Sequence, residues 1–348
     1  MSADEHHTPA PRRGEQPVVL SVRDLRVSLR TAQGRAEVIH GVSFDLHAGE
    51  TLGIVGESGS GKSLTTLSLL GLVPRTARVG GQAVFEGADL LTMAERRLRR
   101  IRGGQIGVIF QDPSNSLTPV FTVGAQIAEA IQLHDRTTSR AQAFTTSVEL
   151  LRLVGVGNPE LRAKQYPHEL SGGMRQRAMI AMAIANRPQV IIADEPTTAL
   201  DVTVQAQVMD VLRAAQRETG AAVILITHDL GLVAESADRI VVMYAGRIVE
   251  SGPAKDILAH PCHPYSRGLL ECLPSVETAG QALTTIPGEP ADPAARAPGC
   301  SFADRCWLSR GRAQCRAVTP ELVVVGAGEH RTACHFHDEM APEPSEVG

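Results

Sequence analysis

Short apolar runs bounded by glycine and polar residues recur through the first 250 or so positions of the chain. Thr51–Val55, Ile106–Phe110, Val190–Ala193, Ala222–Thr227 and Ile240–Met243 are each four to six residues long and dominated by aliphatic side chains. Runs of this length without polar alternation mark strands covered on both faces, the usual condition of a parallel sheet. Helical spacing fills the segments Lys62–Leu70 and Val204–Glu218 between them, so strand and crossover helix alternate and a mainly parallel α/β sheet is predicted. Val18–Val55 holds shorter strand patterns, and strand character returns at Gln82–Phe85. From Val123 to about Val154 the pattern turns helical, with Ser139 as a candidate cap and Phe144, Val148 and Leu151 at helix spacing. This stretch predicts a helical subdomain over about 112–175.

The run Thr51–Val55 leads directly into Gly56, Glu57, Ser58, Gly59, Ser60, Gly61, Lys62 and Ser63, which fit the phosphate-loop template G-x-x-x-x-G-K-[ST]. Glycines let the backbone wrap a phosphate with successive N–H groups pointing inward, and the helix that opens near Lys62 turns its positive dipole end to the anion. Lys62 is expected to reach the β- and γ-phosphates and Ser63 to ligate Mg²⁺. The run Val190–Ala193 ends in the adjacent carboxylates Asp194 and Glu195. At a strand's carboxyl end Asp194 suits Mg²⁺, and Glu195 is placed to polarise an attacking water.

Leu170-Ser171-Gly172-Gly173-Met174-Arg175-Gln176 then sets this chain apart from most phosphate-loop proteins. The segment resembles the signature loop of the ATP-binding cassette (ABC) ATPases of membrane transporters. The resemblance implies two cassettes that dimerise head to tail, each signature loop capping the ATP on its partner's phosphate loop. On that reading Ser171, Gly172 and Gly173 contact a partner's γ-phosphate, and Ser171-Gly172-Gly173 opening the helix of Met174–Ala185 is a reasonable second anion site. Gln111, after the strand-like run Ile106–Phe110, is similar to the family's Q-loop glutamine, expected to sense Mg²⁺ and the attacking water. Thr198-Ala199-Leu200-Asp201 resembles the D-loop, whose Asp201 is expected at the dimer interface, although an Asp opening a helix also reads as a simple N-cap. His228, after Ala222–Thr227, resembles the switch histidine that bonds the γ-phosphate and helps to place Glu195 and water. The aromatic ring that the family sets beneath adenine is missing from Leu25-Arg26-Val27-Ser28-Leu29, where Leu29 stands in that position.

Composition narrows the reading further. The chain has 348 residues, 43% of them hydrophobic, ample for more than one compact unit. A net charge of −4 leaves no footprint for nucleic acid, and the local run Glu95-Arg96-Arg97-Leu98-Arg99-Arg100-Ile101-Arg102 is expected to be a solvated helix face. No stretch approaches the ~18 apolar residues of a membrane span, and Met1–Pro17 is polar, without a signal-peptide core. A cytosolic chain, held at the cytoplasmic face of the membrane through partners, is therefore expected.

After about Pro253 proline, glycine and alanine rise, and all six cysteines fall beyond residue 260. The expected organisation is a polar tail at 1–17, an ATPase domain at 18–252, a separate small cysteine module within 253–340, and a polar tail at 341–348. Cys300, Cys306, Cys315 and Cys334 are four thiols in a segment too loop-rich to bury much core, where a metal could supply the missing stabilisation. A cytosolic setting argues against disulfides. Four thiolates suit an iron–sulfur cluster or tetrahedral zinc; the C-x2-C pairs of zinc ribbons are lacking, while His330, His335 and His337 keep zinc open, and free thiols remain a third reading.

Phe110-Gln111-Asp112-Pro113, Ser116-Leu117, His263-Pro264-Tyr265 and the stretch from Gly299-Cys300-Ser301-Phe302 to Cys334 resemble the dipeptide and oligopeptide importer branch over nearly the whole chain. That resemblance implies a P-loop NTPase cassette with antiparallel β and α-helical subdomains, ATP and Mg²⁺ as cofactors, and a 4Fe-4S cluster on the cysteines. It also implies a related second ATPase, two transmembrane permease subunits and an extracytoplasmic peptide-binding protein as partners. Nickel and other small-solute importers share the architecture. A soluble cassette ATPase of DNA repair or translation, or a phosphate-loop kinase, is the rival from another class; the first usually carries two cassettes or a coiled-coil insertion, and the second leaves the signature loop unexplained.

Overall fold

The computed structural model describes residues 16–32, 34–112, 116–198, 201–272, 285–295, 298–326 and 328–340. The tail at 341–348, most of the tail at 1–17, Pro113, and Ala199 and Leu200 of the D-loop reading lie outside the described residues. Along the chain, strands β1 (Val18–Thr31), β2 (Gly34–His47) and β3 (Thr51–Val55) lead to helix α1 (Lys62–Leu69). Strands β4 (Arg78–Phe85) and β5 (Ala88–Asp89), helix α2 (Glu95–Ile101) and strand β6 (Ile106–Ile109) follow. Next come helices α3 (Val123–His134), α4 (Arg140–Leu153), α5 (Pro159–Arg162) and α6 (Gly172–Ile184). Strand β7 (Val190–Asp194), helix α7 (Val202–Thr219), strand β8 (Ala222–Thr227), helix α8 (Leu230–Ser236) and the hairpin β9 (Arg239–Tyr244) and β10 (Arg247–Pro253) complete the cassette. Beyond it lie α9 (Ala254–Ala259), α10 (Pro264–Glu271), α11 (Ala313–Ala317), β11 (Val323–Val324) and β12 (Arg331–Thr332).

Two sheets form. One is antiparallel in the order β2-β1-β4-β5; the other runs β11-β12-β10-β9-β3-β8-β7-β6. Its members from β9 to β6 are parallel neighbours, and β10, β12 and β11 extend it antiparallel. The apolar runs have the two-sided burial that their composition requires. On β7, Val190 and Ile192 join the core shared with the antiparallel sheet, while Ile191 and Ala193 join the core beneath the helices. Strand β8 splits the same way, Ile224 and Ile226 to one side and Val223 and Leu225 to the other. The helical segment divides into α3 and α4, with Ser139 and Gln142 closing a reciprocal capping box at the start of α4. On α2, Leu98 and Ile101 face the core and the arginines face solvent, while Glu95 pairs with Arg99 and with the half-buried Arg102 just past the helix.

The extension expected after Pro253 is joined to the cassette by strand pairing and shared packing. Strand β12 pairs with β10, placing Thr332 opposite Glu250. Glu250 is fully buried, and its carboxylate accepts from the Cys262 N–H (2.6 Å), the His263 N–H (3.2 Å) and His330 Nε2 (2.7 Å). A buried carboxylate is tolerated only with such partners. All three come from the extension, as do Tyr265 and Phe302, which enter the cassette's own core. Composition marks a real change of character at Pro253, but the hydrogen bonds and the core run across it. No helix among the described residues is long and apolar enough to cross a membrane.

Candidate functional site

The loop between β3 and α1 is shaped by glycines where nothing else fits. Gly56 has φ 153°, and a Cβ on it would lie 2.2 Å from the Met243 carbonyl oxygen; Gly61 has φ 101°, with a Cβ 2.5 Å from Ile39 Cδ1. Gly61 caps α1 without any side-chain hydrogen bond, so the first N–H groups of that helix remain open to an anion. The buried Ser60 hydroxyl has no partner among the described residues. Lys62 donates to the carbonyls of Gly56 (2.7 Å) and Glu57 (3.0 Å). Burial lowers its pKa against the opposing pull of Glu195, Asp194 and Glu57.

Strand β7 delivers the carboxylates. Asp194 accepts from Ser63 Oγ (2.8 Å), and burial, reinforced by Glu195, raises its pKa against Ser63 and Lys62. Glu195 follows with φ 47°, left-handed backbone that a glutamate rarely takes and that turns its side chain away from the strand line. Its Oε2 accepts from Gln111 Nε2 and from Thr198 Oγ1, both at 2.8 Å, and His228 Nδ1 stands 3.5 Å from Oε1. Three separate connections, after β6, β7 and β8, thus converge on one carboxylate. It faces a cleft of about 780 Å³ whose lining includes Gly56, Glu57, Ser58, Gly59, Gly61, Lys62 and Ser63. That volume suits a nucleotide-sized ligand. Leu29 and Val38 form part of its apolar wall together with Leu269 and Pro293 from the extension.

The signature segment sits elsewhere. Ser171 caps α6, its Oγ accepting from the Met174 N–H (3.3 Å), and Ser171 and Gly172 are exposed. Asp201 caps α7 by accepting from the Val204 N–H (3.0 Å) and is also exposed. None of Ser171, Gly172, Gly173 or Asp201 lines the cleft.

Two functional neighbours were not read from the sequence. The Glu57 N–H donates to Tyr265 Oη (2.7 Å), and the Glu57 carboxylate takes both terminal nitrogens of Arg305 (2.7 and 3.0 Å). His263-Pro264 carries a local signal for the start of α10, a proline at N1 behind a capping residue, and so locates Tyr265. Arg305, 248 positions from Glu57, has none.

The four cysteines of the extension come together. Cys300, Cys306, Cys315 and Cys334 line one cavity with His263, Phe302 and Phe336. Burial pushes the Cys300 thiol up to about 11 and Cys334 up to about 12, and the neighbouring thiols add to both shifts. Among the described residues, Glu250, Cys262 and His330 form the one group of three or more His, Cys, Asp or Glu ligand atoms that all lie within 4.8 Å of one another.

Comparison with known proteins identifies the family. The family described as "ABC transporter" matches residues 39–198, and "Oligopeptide/dipeptide transporter, C-terminal region" matches residues 249–315. The "Probable peptide ABC transporter ATP-binding protein y4tR" of Sinorhizobium fredii is 50% identical over 93% of this chain and 96% of its own length. The "Oligopeptide transport ATP-binding protein OppD" of Salmonella typhimurium is 50% identical over 88% of this chain and 90% of its own. For the "Dipeptide transport ATP-binding protein DppD" of Bacillus subtilis the identity is 47%, over 93% and 96%. Among solved structures, the dimeric post-hydrolysis state of the ATP-binding cassette MJ0796 bound to ADP and Pi is similar at a TM-score of 0.61 and 26% identity, covering 68% of this chain and 98% of that one. A cassette fold with an open phosphate loop, a carboxylate ringed by Gln111, Thr198 and His228, and a match to the peptide-transporter C-terminal region lead to one assignment: the chain belongs to the ATP-binding subunits of the oligopeptide and dipeptide ABC transporters, the ATPases that drive peptide import.

Proposed function

We propose that Lys62, Ser63 and Asp194 hold Mg-ATP in the cleft while Glu195 orients the attacking water. The phosphate loop from Gly56 to Ser63 would wrap the phosphates, with Gln111 at the Mg²⁺ and water, and His228 at the γ-phosphate. The observation that carries this reading is the convergence of Gln111, Thr198 and His228 on the Glu195 carboxylate opposite the phosphate loop. Phosphoryl transfer asks for little beyond such positioning and charge stabilisation. Ser171, Gly172, Gly173 and Asp201 act in trans on a second cassette's nucleotide, a role that fits their position away from this chain's own cleft and the exposure of Ser171, Gly172 and Asp201. ATP binding closes the pair, and product release reopens it.

The test is Glu195→Gln in the assembled transporter. Its turnover should fall about 100-fold or more, the usual scale for losing a catalytic base, with Mg-ATP binding retained. Normal steady-state hydrolysis would remove Glu195 from this role.

The full machine in this reading pairs the chain with a related second ATPase beneath two permease subunits, supplied by an extracytoplasmic peptide-binding protein. The relatives' names support peptide as the transported class, and the dimeric MJ0796 cassette supports a paired ATPase. The chain would lie at the cytoplasmic face of the membrane, attached through the permeases, and a net charge of −4 accords with partners other than nucleic acid.

The cysteine cavity suits a 4Fe-4S cluster in donor chemistry. Four thiols face one space, and a cationic centre would relieve the mutual repulsion of their thiolates. Bound, the cluster would cross-link a lobe with little core of its own. Anaerobic purification followed by iron, sulfide and zinc analysis should find about four irons and four sulfides per chain, lost in Cys306→Ser. One zinc without iron would replace the cluster with a structural ion.

A further inference from the structure

We propose that Arg305 is a positioning residue for the phosphate loop, neutralising and holding Glu57 so that ATP affinity depends on the cysteine-bearing extension. The inference rests on the cleft being the nucleotide site.

Glu57 is the second residue of the phosphate loop, and it is pinned at three points. Its carbonyl accepts from Lys62 Nζ (3.0 Å), its N–H donates to Tyr265 Oη (2.7 Å), and its carboxylate receives Arg305 at 2.7 and 3.0 Å. The last two anchors belong to the extension. The Arg305 side chain is only 5% exposed, and its donors are fully engaged. Nε bonds the Pro287 carbonyl (3.0 Å), one terminal nitrogen bonds Glu57 and Tyr244 Oη (3.3 Å), and the other bonds Glu57 and the Ile286 carbonyl (3.2 Å). Five N–H groups meeting five acceptors use the whole guanidinium fork, a geometry that lysine cannot reproduce. The group also lies 5.8 Å from the ring centroids of both Tyr244 and Phe302.

The backbone fixes where this fork can point. Arg305 sits on a single turn in which the Ala303 N–H donates to the Cys300 carbonyl (3.0 Å), the Arg305 N–H to the Phe302 carbonyl (3.1 Å) and the Cys306 N–H to the Ala303 carbonyl (3.3 Å). Two of the four cavity thiols therefore bracket the residue that grips the loop. A displacement of that thiol cradle shifts the turn and, through it, Glu57.

The electrostatic consequence is specific. Glu57 places a negative charge on a loop that must receive polyphosphate, and Arg305 cancels it at close range. Without Arg305 the carboxylate would repel the incoming phosphates. A mere staple between lobe and cassette predicts lost stability; a positioning role predicts lost ATP affinity that returns when the Glu57 charge is also removed.

The experiment measures Mg-ATP dissociation constants on the full-length chain by calorimetry, with thermal midpoints recorded alongside. Arg305→Met should weaken binding about 10-fold, a scale set by one uncancelled charge near the triphosphate. Adding Glu57→Gln to it should restore affinity to within about threefold of the unaltered chain, the non-additivity expected of a coupled pair. Where Arg305→Met does not fold, Arg305→Gln, which keeps hydrogen-bond donors but no charge, is read in its place. Unchanged affinity in a folded single variant, or a double variant as weak as the single, overturns the proposal. Lys62→Ala is the control: if it binds Mg-ATP as tightly as the unaltered chain, the nucleotide-site reading fails; if it loses binding while the Arg305 variants keep it, only the brace fails.

Discussion

At the scale of single residues, His263 links acidity to folding through its environment. It is buried, and its Nδ1 accepts the Tyr265 N–H (3.1 Å) at the start of α10. Only a neutral ring nitrogen can accept there, and burial pushes the imidazole from 6.5 down to about 3. The folded chain therefore stays unprotonated at this site over a range where the unfolded chain takes up a proton. The stability this supplies is fully present above about pH 6.5 and declines as pH falls towards 3, at most by about 1.4 kcal/mol per pH unit. His263→Asn keeps a capping acceptor without the titration. Urea unfolding from neutral pH down to about pH 5 should show a shallower acid slope for the variant; parallel slopes in the two proteins would remove His263 as a source of acid sensitivity.

Elements differ in how much of them the sequence displays, and the difference is physical. Strands β3, β6, β7, β8 and β9 are legible because burial on both faces leaves an unbroken apolar run. Strands β1 and β2 are each 14 residues long yet read as short fragments. A bulge interrupts their alternation between Val22 and Leu25, where Asp24 takes φ 46° and the buried positions change phase. The phosphate loop, the Asp194-Glu195 pair and the Ser171 and Asp201 caps are legible for a related reason, since their chemistry belongs to consecutive backbone groups. What brings Tyr265 and Arg305 to Glu57 is tertiary, across 208 and 248 positions, and no local pattern records it. The same holds for Glu250, an apparently ordinary strand carboxylate whose partners lie 12, 13 and 80 residues on. The boundary drawn at Pro253 follows composition faithfully and misses these bonds.

At the scale of the whole molecule, the question is whether the cassette is an independent body carrying an appendage. The MJ0796 cassette is matched over 98% of its length by 68% of this chain, so the architecture itself does not demand a lobe. This chain has nevertheless committed its interior to one. Ending it after Ala259 keeps β10 and α9 but strips Glu250 of all three donors, removes Tyr265 and Phe302 from the core, and frees Glu57 from both anchors. Each lost core aromatic costs about 3–5 kcal/mol, and Glu250 loses every donor that offsets its desolvation. That sum is comparable to the whole stability of a typical domain. The shortened chain should therefore be insoluble or melt far below the full chain, and Glu250→Gln within it should recover part of the loss by replacing the charge with an amide. A shortened chain that unfolds cooperatively at the same temperature as the full one would instead make the cassette self-sufficient. The hydrogen bonds across Pro253 would then be contacts between two bodies, and any effect of the lobe on ATP would have to act through Arg305 and Tyr265 without help from a shared core.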